Sequence, residues 1–252
     1  MKTVNVIGSK IAVTNYTNVV TQVGQWAMAN DRAYAVEAAN THTLSLARAD
    51  QRFGKAFESF DLICPDGMPL VWAINSRVSR EEKLTERVYG PTLMLKTMQG
   101  TAKDDRHQHF LLGGKQSTLD KLQSNLANKH GITNIAGVYS PPFGQWPADE
   151  FDRICKKISD SGANYVWVGL GCPKQELWIA ENLQQLPNAV YFGVGAAFAF
   201  HAGEVSQAPS FIQNAGLEWL YRLCAEPRRL WKRYLVNNTR FLYYSLFDFR
   251  AN

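Results

Sequence analysis

The chain has 252 residues, 46% of them hydrophobic, and 27 Lys and Arg against 22 Asp and Glu give a net charge of +5. That is ample for one large α/β domain, or a domain with an appendage. The four cysteines, Cys64, Cys155, Cys172 and Cys224, form no Cys-x-x-Cys pair, which suits a reducing compartment and argues against a disulfide framework or zinc site.

The first eight residues read as a short strand and a turn, without the apolar core or cleavage site of a signal peptide. No apolar run approaches the roughly eighteen residues of a membrane span, so the expectation is a protein that is soluble or lies on a membrane. Strands are expected at Thr3–Ile7, Tyr34–Ala38, Leu62–Cys64, His109–Leu112, Ile132–Val138, Tyr165–Leu170 and Val190–Val194. Helices are expected between them, near Thr17–Ala29, Thr43–Phe57, Pro69–Asn75, Pro91–Gly100, Ser117–Lys129 and Pro147–Asp160. Alternation of this kind predicts an α/β fold, a mainly parallel sheet with helices on both faces. After Gln207-Ala208-Pro209 the strands cease, which predicts a domain over 1–208 and a helical appendage over 209–252.

Charge divides at nearly the same place. From Glu218 onward seven Lys or Arg face three acids, so this stretch carries +4 of the net +5. In Glu226-Pro227-Arg228-Arg229-Leu230-Trp231-Lys232-Arg233-Tyr234, Leu230, Trp231, Tyr234 and Leu235 fall on one helical face, flanked or opposed by the basic residues. A basic helix with aromatics on its other face suits a membrane interface rich in anionic lipid, or a terminal helix docked on the core. Basic charge confined to one aromatic-rich end argues against nucleic-acid binding.

Four strand ends carry residues suited to chemistry. Asn40 and His42 follow the strand at 34–38, as ligand contacts or as a helix cap and a first-turn histidine. Asp66 follows the strand at 62–64, either as a general base or as a cap of the helix from Pro69. Gly171-Cys172-Pro173-Lys174-Gln175-Glu176 turns from a buried strand into a helix opened by Pro173, placing Lys174 and Gln175 in its first turn. Gly193-Val194-Gly195 permits close backbone approach to a phosphate or sugar, but lacks the third glycine and the acidic residue of a dinucleotide fingerprint. No Asp-x-Asp pair, P-loop or Gly-x-Ser-x-Gly occurs, so no metal site is expected and P-loop and hydrolase chemistry lose support.

Taken in order, Asn40; Pro65-Asp66-Gly67-Met68; Arg87-Val88 with Gly90; Gly171–Glu176; Gly193-Val194-Gly195; Ala202-Gly203; Ala208-Pro209; Gly216–Arg222; and Glu226-Pro227 with Arg229 resemble the WecG/TagA/CpsF family of bacterial glycosyltransferases. The resemblance implies a Rossmann-like domain with a C-terminal appendage, acting as a metal-independent, inverting hexosyltransferase without a cofactor. Such an enzyme moves a sugar, commonly N-acetylmannosamine, from a UDP-sugar to a polyprenyl-diphosphate-linked saccharide on the inner face of the plasma membrane. It implies Asp66 as the base, and Asn40 and Gln175 as contacts to the sugar or diphosphate, with Lys174 and Gly195 also at the ligand edge. Arg222 and Arg229 would reach the diphosphate, with Lys232 or Arg233 beside them. Homo-oligomerisation is left open. The chain departs from the family pattern at Ala38, Thr92, Ala199 and Gln207, which keeps glucuronosyl, glucosyl and galactosyl donors open. Alternatives from other classes are a nucleotide-dependent oxidoreductase, suggested by the Gly193-x-Gly195 turn, and a non-catalytic membrane scaffold.

Overall fold

The structure is a computed structural model describing residues 1–247, apart from the side chains of Ser210, Asn214, Arg229, Lys232, Arg233 and Tyr234. In chain order it begins with β1 (Thr3–Val6), β2 (Ser9–Ala12), α1 (Tyr16–Ala29), β3 (Tyr34–Ala39), α2 (Thr41–Ala49), α3 (Gln51–Glu58), β4 (Leu62–Pro65) and α4 (Met68–Asn75). A 3-10 turn at Arg80–Glu82 leads to α5 (Gly90–Thr101), β5 (His109–Gly113), α6 (Gln116–His130), β6 (Ile135–Tyr139) and α7 (Glu150–Ser161). Then come β7 (Tyr165–Gly169), α8 (Lys174–Asn182), β8 (Val190–Gly193), α9 (Ala197–His201), α10 (Ser210–Asn214), α11 (Glu218–Ala225) and α12 (Pro227–Phe247).

A six-stranded sheet runs in the order β4-β3-β8-β7-β5-β6, and the pairs β3/β8, β8/β7, β7/β5 and β5/β6 are parallel. Parallel neighbours need crossover connections, which the intervening helices supply. The expected α/β class is therefore observed. Packing divides the chain into two compact units: Met1–Asn15, Ala38–Tyr89 and the chain from Gln207 form one, and Tyr16–Glu37 with Gly90–Ser206 form the other.

In the first unit β1 and β2 pair antiparallel, from Thr3↔Ala12 to Val6↔Ser9, as a separate two-stranded sheet. This corrects the expectation that the first strand joins the parallel set. Ile7 and Gly8 both have positive φ, as a tight two-residue hairpin turn requires. The helix expected over Thr43–Phe57 is two helices, broken at Asp50. Its N–H donates to Leu46 O at 2.8 Å to close α2, while its carboxylate accepts from Phe53 N–H at 3.0 Å to start α3. Short polar side chains that bond nearby backbone end helices in this way. Helix α12 packs on α2, where Leu230 and Phe241 are buried, and Ser45 Oγ donates to Asn237 O at 2.9 Å.

The second unit is built on stacked aromatics, with Trp167 on β7 lying 4.1 Å from Phe192 on β8 between ring centroids. Pro173 stands at the cap of α8, one position before its expected place inside the helix, and Lys174 opens the first turn. Beneath the stack His109 is fully buried: Trp167 Nε1–H donates to its Nδ1 at 3.2 Å, so its own proton sits on Nε2, 2.8 Å from Thr101 Oγ1. Burial holds this imidazole neutral and lowers its pKa to about 3.

That depression fixes the sign of an acid effect. The unfolded chain binds the proton near the ordinary histidine value of about 6.5, whereas the folded chain refuses it down to about 3. Stability contributed by neutral His109 is complete above about pH 6.5 and is lost as pH falls, by roughly 1.4 kcal/mol per unit. His107 and His201, both depressed chiefly by burial, act in the same direction. Urea midpoints should fall steadily from pH 7 to pH 4.5, and His109→Gln should flatten that fall.

Candidate active site

Strand β4 ends in a backbone geometry that leaves no choice about where Asp66 sits. Its N–H donates to Ala39 O at 2.7 Å, and Val88 N–H donates to Pro65 O at 2.8 Å, so the chain stays extended through Asp66. It then turns at Gly67, whose φ of 142° is a region that side-chain-bearing residues avoid. The capping position of α4 falls on Gly67, so the helix-cap reading of Asp66 is not realised. Asp66 instead lines a cavity of about 260 Å³, a little under the usual range for small-molecule sites.

The cavity lies within the first unit and has four further walls. Asn40, Thr41 and His42 come from the start of α2, Arg87 and Tyr89 from the segment before α5, and Glu218, Trp219 and Arg222 from α11. Asn238, Phe241 and Leu242 close it from α12. Asn40 is at the same time the cap of α2: its Oδ1 accepts from His42 N–H at 3.0 Å and Thr43 N–H at 3.3 Å, while Thr43 Oγ1 accepts from Asn40 N–H at 2.9 Å. Asn40 therefore both caps α2 and lines the cavity, and the cap uses only its side-chain oxygen in these bonds.

Arg87 is the centre of the cavity's charge. Its Nη2 donates to Glu218 Oε2 at 2.5 Å and to Gln213 Oε1 at 2.8 Å, and its guanidinium lies 4.2 Å from the centroid of the Tyr89 ring. Tyr89 in turn donates its hydroxyl to the other Glu218 oxygen at 2.6 Å. Burial works against the charge of Arg87, but the Asp66 and Glu218 carboxylates outweigh it and push its pKa up. Burial, then Glu218, pushes the Tyr89 phenol far above its ordinary value, so it remains a donor. Arg87, Tyr89 and Glu218 are not singled out by the sequence as site residues. Arg87 and Glu218 stand 131 positions apart, and no local pattern marks their pairing.

The remaining expected residues occupy two other settings. Arg229, Lys232 and Arg233 lie on α12, with side chains outside those described. Lys174, Gln175 and Gly195 belong to the second unit. Lys174 is exposed, with Nζ 4.2 Å from the Trp146 ring centroid. Gln175 is buried, its Oε1 accepting from Gly171 N–H and Gly195 N–H at 3.1 Å each, and its Nε2 donating to Glu176 at 3.1 Å. It thus ties two glycine turns together. The Gly195 N–H that a dinucleotide phosphate would seek is already donated to this amide, which removes the observation behind the oxidoreductase alternative. Among the described residues no cluster of three or more His, Cys, Asp or Glu is placed to hold a metal ion.

The Arg87–Glu218 pair has side-chain exposures of only 12% and 9%, so removing one partner strands a charge in a poorly solvated place. Arg87→Met should cost about 3–5 kcal/mol. A urea midpoint unchanged from wild type would contradict this account of the pair.

The model of the glycosyl transferase WecG/TagA/CpsF family matches residues 4–252, nearly the whole chain. The chain is a member of the WecG/TagA/CpsF glycosyltransferase family.

Proposed function

We propose that this glycosyltransferase moves a hexose from a UDP-sugar to a polyprenyl-diphosphate-linked saccharide during cell-surface glycan synthesis, with inversion and without a metal. N-acetylmannosamine is the favoured sugar. The observation carrying the reading is one cavity that brings the Asp66 carboxylate together with Arg87 and Arg222. A direct displacement needs both. The carboxylate takes the proton from the acceptor hydroxyl as its oxygen attacks the anomeric carbon. The bond from that carbon to the β-phosphate oxygen breaks, and its electron pair leaves with UDP. Guanidinium groups held in a partly water-excluded site stabilise the negative charge growing there. Asn40 and Arg222 are the proposed contacts to sugar and diphosphate. Arg229, Lys232 and Arg233 would add positive charge from α12.

The chain from 209 onward is proposed to cap the donor and to hold the protein on the inner face of the plasma membrane. Trp231, Leu235, Leu242, Leu246 and Phe247 on α12 are 53–66% exposed, while Leu230 and Phe241 on its other side are buried. Exposed aromatics and leucines on a basic helix suit the acyl–headgroup boundary of anionic lipid. Among the described residues no helix is long and apolar enough to cross a membrane.

Two measurements test this reading. Asp66→Asn should lower turnover by about 10²–10⁴-fold with a stable fold, when a panel of UDP-sugars is offered with a polyprenyl-diphosphate monosaccharide and products are weighed. Undiminished product from this variant would leave the scaffold alternative standing instead. For the membrane face, the double variant Trp231→Ser, Leu242→Ser should weaken sedimentation with anionic vesicles by at least about tenfold. Equal sedimentation would remove α12 as the anchor.

A further inference from the structure

The Arg87–Glu218 pair does more than hold the fold together, because of what else Arg87 faces. Asp66 and Glu218 are two carboxylates acting on one guanidinium, and all three line the same cavity. Glu218 commits each oxygen separately, Oε2 to Arg87 and Oε1 to the Tyr89 hydroxyl, while Tyr89 presents its ring to Arg87. This closed triangle fixes the guanidinium in position and in orientation. Gln213 holds the same Nη2 from the segment just before α11, so both of these ties come from the chain beyond Gln207.

We propose that Glu218 is a positioning residue that fixes Arg87 beside Asp66 and, by drawing on the guanidinium's charge, keeps Asp66 basic enough to accept the acceptor's proton. The proposal deepens the transferase reading and rests on it for the role of Asp66. A carboxylate facing an unshared arginine is strongly stabilised as the anion and becomes a poorer base. With Glu218 in place the arginine's field is divided, and Asp66 also feels a second negative charge. The other titratable groups lining the cavity are His42 on α2, Tyr89 before α5 and Arg222 on α11. Of these, Tyr89 is the one whose hydroxyl donates to Glu218, and burial comes first in holding its phenol protonated. Because Glu218 stands at the first turn of α11, the strength of the base is tied to the docking of the C-terminal segment. An undocked segment takes Glu218 away and leaves a weakened Asp66.

The test is a carboxyl-carbon NMR titration of the whole protein labelled with ¹³C-aspartate, with the Asp66 signal assigned by its loss in Asp66→Asn. In Glu218→Gln the Asp66 midpoint should fall by about one pH unit. A midpoint unmoved in a folded variant overturns the proposal. If the amide variant does not fold, Glu218→Asp carries the test. It keeps the charge one methylene farther back and should move the midpoint the same way by a smaller amount, and no movement again overturns it. The titration involves no substrate, so its outcome is independent of the reaction. Full turnover in Asp66→Asn would sink the transferase role of Asp66 while leaving the measured coupling intact, whereas an unmoved midpoint sinks the coupling alone.

Discussion

A largely buried ion pair between Arg87 and Glu218 joins an earlier segment of the chain to its C-terminal helices, and both partners line the cavity. Burying two charges is costly, and the cost is offset only when geometry is good and the remaining polar atoms are satisfied. Here Tyr89 and Gln213 supply that satisfaction. The same contacts hold a guanidinium in the cavity that the Asp66 carboxylate also lines, so stability and the proposed chemistry meet at this point of the structure.

The C-terminal helices serve two environments at once. One side of α12 is fastened to α2 by Leu230, Phe241 and the Ser45–Asn237 bond, while Trp231, Leu235, Leu242 and Leu246 remain exposed. An amphipathic helix in a soluble protein normally spends its apolar stripe on the core. This one has apolar surface left over, beyond what packing uses, on the segment that also supplies Glu218, Trp219 and Arg222 to the cavity.

Much of the fold was legible because strand and helix periods differ and the strand runs are short and apolar. Tyr34–Ala38 and Tyr165–Leu170 match β3 and β7 to within a residue. The hairpin partner β2 was not, since Ser9-Lys10-Ile11-Ala12 is too short for an alternation to stand out. The break at Asp50 was hidden because the residues around it continue a helical pattern, and it shows only in the extended backbone of Asp50 and its bonds to Leu46 and Phe53. For the site, strand-end logic led to Asp66 and Asn40, which do share a cavity. It could not lead to the pairing of Arg87 with Glu218, a contact set by tertiary packing alone. For Gln175 it found the residue but not its setting, because a first-turn glutamine looks the same whether it faces solvent or turns inward.

That inward turn of Gln175 has an evolutionary implication. A single amide oxygen receives the N–H groups of two turns separated by more than twenty residues, so neither turn can drift without pulling on the other. Selection acting on one of them is thereby constrained to act on both. Diversification of this region is then expected to proceed by paired changes rather than by independent exploration of each loop.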